Sequence, residues 1–150
     1  MRVLLIVLQA VIVQPPATSI VPTLQGLHDF CGSAADFDAC TLFVAYRLNV
    51  TCHDTRMNAS VTFRPLIFLY NIRQLPHEQA HISDVKQFAS EYADSLGKNV
   101  FTSNTACEDE SFRLAAGFGG KMHELALRSN LERHPNLRTR RSTMPSVEGR

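Results

Sequence analysis

Pro76-His77-Glu78-Gln79-Ala80-His81-Ile82-Ser83-Asp84-Val85-Lys86-Gln87-Phe88-Ala89-Ser90-Glu91-Tyr92-Ala93-Asp94-Ser95-Leu96 decides how the rest of the chain is read. His77, His81, Asp84, Val85, Phe88, Tyr92 and Leu96 recur at helical spacing. Pro76 suits a first turn and Gly97 stands where a helix closes, so the spacing predicts one helix over Pro76–Leu96. On that helix His77 and His81 lie one turn apart on the same face, where both imidazoles reach one tetrahedral metal. Glu78 lies about 100° further round, placed to meet a water on that metal. The stripe expected to face the core is therefore the stripe that carries the ligands. Asp84, on the same face, is placed to accept the second ring N–H of His81.

Outward from this helix the pattern is mixed. Thr41 to Thr51 is β-prone without a breaker, and Ser60 to Leu69 is a second strand candidate across a polar turn from His53 to Asn58. Pro65 in the second strand predicts an edge position or a bulge. An edge strand just before the ligand-bearing helix suits an extended peptide, which can pair with it. Ile20 to Phe30 reads as a short helix or docking segment. Downstream, Thr105-Ala106-Cys107-Glu108 is a capping-box signature for a second helix. That helix is expected to kink or restart at Gly117, Gly119 and Gly120, and to resume from Lys121 to Arg133. There are no internal repeats.

The front end points to export. Met1 and Arg2 precede an apolar run from Val3 to Val13, then Gln14-Pro15-Pro16 and the small residues Ala17-Thr18-Ser19. This reads as a signal peptide over residues 1–19, too short for a membrane span. It leaves one domain over 20–134, enough for a modest core. Residues 135–150, with Arg138, Arg140 and Arg141, read as a disordered basic tail. The formal charge of +1 argues neither for a nucleic-acid partner nor for a strongly charged substrate, and no nucleic acid is expected.

Four cysteines, Cys31, Cys40, Cys52 and Cys107, with no C-x-x-C pair, read as disulfides in an exported chain. An extended Thr41–Thr51 would hold Cys40 and Cys52 roughly 40 Å apart, which discounts that bond. Two pairings remain open: Cys31–Cys40 with Cys52–Cys107, or Cys31–Cys52 with Cys40–Cys107. Asn49-Val50-Thr51 and Asn58-Ala59-Ser60 match the N-glycosylation triplet.

A third metal ligand has to come from elsewhere. If the two helices form an antiparallel hairpin centred near Thr102, His81 faces about His123 and His77 faces about Leu127. His123 and Glu124 are then the best-placed ligands, with His134 more distant and His53 dependent on the inter-strand loop. Two histidines, a glutamate and water form a standard catalytic zinc set. Tyr70, Tyr92 and His123 are candidates to stabilise an oxyanion.

Leu75-Pro76-His77-Glu78-Gln79-Ala80-His81-Ile82-Ser83-Asp84 carries the H-E-x-x-H arrangement. It resembles a family of small, exported bacterial proteins assigned as zinc-dependent proteases, whose motif is similar to His-Glu-Gln-Gly-His-Phe-Asp. Here Ala80 stands where that family has Gly. The likeness spans about ten residues, and the downstream segment does not follow the family pattern. The resemblance implies metal ligation by His77 and His81, with Glu78 catalytic. The expectation is thus an α+β, zincin-like domain: a short sheet on two main helices, the motif on the first. Its expected activity is peptide hydrolysis with one zinc ion, on a peptide or protein substrate, in the periplasm or outside the cell. The rival expectation is a disulfide-stapled secreted binding module with a structural metal or none.

Overall fold

The computed structural model describes residues 10–32 and 38–135. Over these described residues the fold is α+β: a four-stranded sheet and four helices. In chain order the elements are β1 (Val11–Val13), β2 (Ala17–Ile20), α1 (Leu24–Cys31), β3 (Ala39–His53) and β4 (Arg56–Leu69). A 3₁₀ turn, Ile72–Gln74, then leads into α2 (Leu75–Leu96), α3 (Asn104–Ala116) and α4 (Phe118–Arg133).

β3 and β4 form one long hairpin. Asp54 and Thr55 both take positive φ, 50° and 62°, the backbone of a two-residue turn whose twist matches the flanking strands. β3 pairs antiparallel with β4 along its whole length. A strand has two edges, so β1 and β2, both parallel to β4, lie end to end along the other one. β4 is therefore central, which corrects the expectation from Pro65. The proline is accommodated because it falls in the gap between the two short strands: β1 pairs as far as Phe63 and β2 begins at Leu66. Among the described residues, the long edge strand is β3.

Residues 11–19 fall in the stretch expected as a leader, and with Ile20 they supply both parallel strands. Val11 is 5% exposed and packs in the main core. Residues 1–9, and the expected tail from 136 onward, lie outside the described residues. No helix among the described residues is long and apolar enough to cross a membrane.

β4 alternates strictly, with Met57, Ala59, Val61, Phe63, Ile67 and Leu69 buried on the face that meets the long helices. β3 does not. Val44 pairs with Arg64 but Arg47 pairs with Thr62, so one extra residue is inserted, and Ala45 takes φ 48° to make room. An extra residue reverses which face every later side chain meets. Before the bulge, Cys40 faces α1 in a small cluster with Val21, Leu27 and Cys31. After it, Leu48 and Cys52 face the long helices.

This parity reversal selects the disulfide pairing that the sequence left open. Cys31–Cys40 ties α1 to one face of the sheet, and Cys52–Cys107 ties β3 to α3 on the other. Two formed disulfides suit an oxidising compartment.

The helix boundaries follow local chemistry. Ser103, rather than Thr105, caps α3 by accepting from the Ala106 N–H, so that helix starts a residue before the expected capping box. Gly117 ends α3 and α4 restarts at Phe118, as the glycines suggested. α4 then runs antiparallel along α2. The Arg128 guanidinium lies 3.7 Å from the centroid of the Phe88 ring, and Tyr92 stacks on Phe118.

Candidate metal centre

Three histidines converge where the first two turns of α2 meet the end of α4. The Nε2 atoms of His77 and His81 are 3.1 Å apart. Each faces Nε2 of His134, at 3.2 Å from His77 and 3.4 Å from His81. Four ligands at the zinc–nitrogen bond length stand about 3.3–3.4 Å apart in a regular tetrahedron. The observed triangle has that size, and the group could hold a metal ion.

Hydrogen bonding alone cannot satisfy such a triangle. An imidazole Nε2 is either a donor or an acceptor, so three of them facing one another leave at least one pair of the same kind. A cation taking a lone pair from each removes that conflict.

The protonation of His81 is settled by its other side. The Arg133 guanidinium, bonded to both oxygens of Asp84 at 2.5 and 2.7 Å, holds that carboxyl below the usual carboxylate range. Ionised Asp84 only accepts, so the Ser129 hydroxyl donates to it, at 2.9 Å. The Ser129 oxygen is then the acceptor for His81 Nδ1, 2.8 Å away. His81 therefore carries its proton on Nδ1 and turns an Nε2 lone pair toward the other two rings. Burial, with His77 and His134 close by, lowers the His81 pKa to about 4, which keeps the ring neutral and ready to ligate. Asp84, expected to accept the His81 ring N–H itself, instead bonds Ser129, a residue the sequence did not single out, and Ser129 meets the ring.

Glu78 is 2% exposed, and its Oε2 accepts a 2.6 Å hydrogen bond from Thr41 Oγ1 on β3. It is a buried carboxylate between helix and sheet, not a solvated side chain at the helix start. Thr41 was also missed, because its proximity depends on how β3 crosses α2.

The other expected ligands lie elsewhere. Glu124 is exposed and bonded to Lys121 at 3.0 Å, and His123 lines a cleft rather than joining the triad. The hairpin count fails because α3 packs against β3, held by Cys52–Cys107, instead of folding back on α2. α2 and α4 consequently meet with His81 beside Ser129 rather than His123, and the less favoured His134 completes the group. His53 stands at the far end of β3 beside Asp54. Tyr92 packs against Phe118 and Lys121, and Tyr70 is exposed.

A cleft of about 500 Å³ lies between β3 and α4, from Thr41 to Tyr46 on one wall and from Asn130 to Gly119 on the other; Thr41, the partner of Glu78, lines one end of it.

No family model, no curated protein and no solved structure matches the chain.

Proposed function

We propose that the protein is a zinc metallopeptidase of zincin-like fold, exported to an oxidising compartment and acting on extended peptide segments. The observation that carries this is the Nε2 triangle of His77, His81 and His134, with edges of 3.1–3.4 Å, in a chain where the first two flank a buried Glu78. Three histidine nitrogens leave the fourth tetrahedral position for water or substrate, the mark of a catalytic rather than a structural zinc site. Histidine nitrogens in this geometry favour zinc over the oxygen-seeking divalent ions.

Zinc bound there supplies Lewis-acid polarisation of a carbonyl and raises the acidity of a water. The chain's own residues do the rest. Ser129 and Asp84 hold the His81 ring in its Nδ1–H form. Thr41 anchors one oxygen of Glu78, fixing the carboxylate against β3. The Glu78 carboxylate takes a proton from the attacking water as its oxygen bonds to the peptide carbon. It delivers that proton to the amine nitrogen as the C–N bond breaks. The edge of β3 that pairs with no strand among the described residues receives the substrate backbone.

The test is Glu78→Gln beside wild type, with zinc content and cleavage of a peptide library measured on both. The amide keeps the shape but cannot take the proton, so zinc should stay while cleavage falls by about 10²–10⁴. Equal cleavage by the two proteins sinks the role of Glu78. Zinc retained with no cleavage by either favours a secreted binding module instead.

A further inference from the structure

We propose that Tyr46 is the end wall of the cleft, limiting to about four the substrate residues that can pair with β3 on that side of the metal. This rests on the peptidase reading and adds a length limit to it. Consecutive residues Thr41 to Val44 line the cleft, so its border is the backbone edge of β3 rather than one side-chain face. The other edge of β3 is occupied by β4 along its length. Thr41, bonded to Glu78, marks the metal end, and Tyr46 marks the far end.

Two independent rulers give the length. Thr41 to Tyr46 is five strand steps, about 16 Å. On the opposite wall, Asn130 to Gly119 is eleven helical steps, also about 16 Å. An extended peptide fills that span with four to five residues.

The far end is closed by the bulge. Positive φ at Ala45 breaks the register of β3 and sends Tyr46 across to α4. There the Tyr46 ring lies over Gly119: a Cβ at that position would stand 3.2 Å from the phenol oxygen and 3.5 Å from a ring carbon. The ring also meets Phe118 edge-on, with centroids 6.2 Å apart. It therefore bridges the two walls, and a paired strand loses both space and in-register partners beyond Val44. A peptide antiparallel to β3 runs toward the metal from its N-terminal side, so the limit falls on residues preceding the scissile bond. Met122, Ala126 and Leu127 on the α4 wall favour apolar side chains there.

The test uses zinc-loaded protein and peptides of roughly one to six residues, each ending in a C-terminal hydroxamate that binds zinc. In wild type, affinity should rise by about fivefold per residue up to the fourth and then level off. In Tyr46→Ala the gain should continue through the fifth and sixth, while Tyr46→Phe, which keeps the ring, should behave as wild type. Wild-type affinity that climbs through all six residues overturns the proposal, even if Tyr46→Ala fails to fold. A Tyr46→Ala plateau at the wild-type length overturns it too, as does zinc-loaded protein indifferent to peptide length. Failure of wild type to take up zinc, or to bind acetohydroxamate, identifies the peptidase reading as the fault and removes the end wall with it.

Discussion

Replacing Ser129 with alanine removes one oxygen atom from the buried chain Asp84–Ser129–His81. That oxygen bridges bonds of 2.9 and 2.8 Å. With a tetrahedral angle at the hydroxyl, the Asp84 carboxylate and His81 Nδ1 stand about 4.6 Å apart, too far to bond directly. The methyl side chain is smaller than the one it replaces, so the core is not overfilled and α2 and α4 remain joined by Arg133–Asp84. What is lost is the acceptor that fixes the His81 proton on Nδ1. Loss of such a partner behind a metal-bound histidine costs about 10–100-fold in metal affinity, or about 1.4–2.7 kcal/mol. Competition against a chromophoric zinc chelator at neutral pH reads this directly, with far-UV circular dichroism to verify the fold. A folded Ser129→Ala protein that binds zinc as tightly as wild type would refute the relay and the protonation state derived from it.

Three further outcomes follow from the same structure. Thr41→Val should lower the cleavage rate by about tenfold or more at unchanged zinc content, and Thr41→Ser should restore it, since the hydroxyl is the part of this side chain that bonds Glu78; equal rates for the two variants would remove Thr41 from the account. Opening Cys52–Cys107, which closes a separation of 55 residues, should cost about 4 kcal/mol in denaturant unfolding, against about 2.6 kcal/mol for Cys31–Cys40 with its separation of nine; the reverse order would contradict this ranking. A chain begun at Ile20 should melt below one begun at Ala10, because it lacks β1 and almost all of β2, and burial of Val11 alone is worth about 1.5–3 kcal/mol; coincident melting curves would mean the two parallel strands add no stability.

What the sequence disclosed was local. The helix carrying His77, Glu78 and His81 could be read because its information lies in spacings of three and four residues and in Pro76 and Gly97 at its ends. The two long strands were legible from an unbroken β-prone run on either side of a polar turn. The third histidine was legible only as the more distant candidate, because His134 is 53 residues beyond His81 and its approach depends on where α3 packs. Counting outward from a hairpin midpoint assumed that all the helical chain after Thr102 returns along α2, whereas α3 is diverted to β3. The bulge left no mark either: the positive φ falls on Ala45, not on a glycine or asparagine that would have announced it. That one inserted residue fixes the disulfide pairing and sends Tyr46 onto α4. Pro65 misled for a related reason, since a central strand admits proline when its neighbours on one edge are two short segments with a gap between them.

The central claim is the His77–His81–His134 metal centre, and zinc content by elemental analysis tests it most directly. Wild type, His134→Ala and His123→Ala should be compared after identical zinc loading and removal of free metal. The geometry predicts about one zinc per chain in wild type and in His123→Ala, and near none in His134→Ala. Wild type without zinc, or His134→Ala retaining the wild-type content, would contradict it.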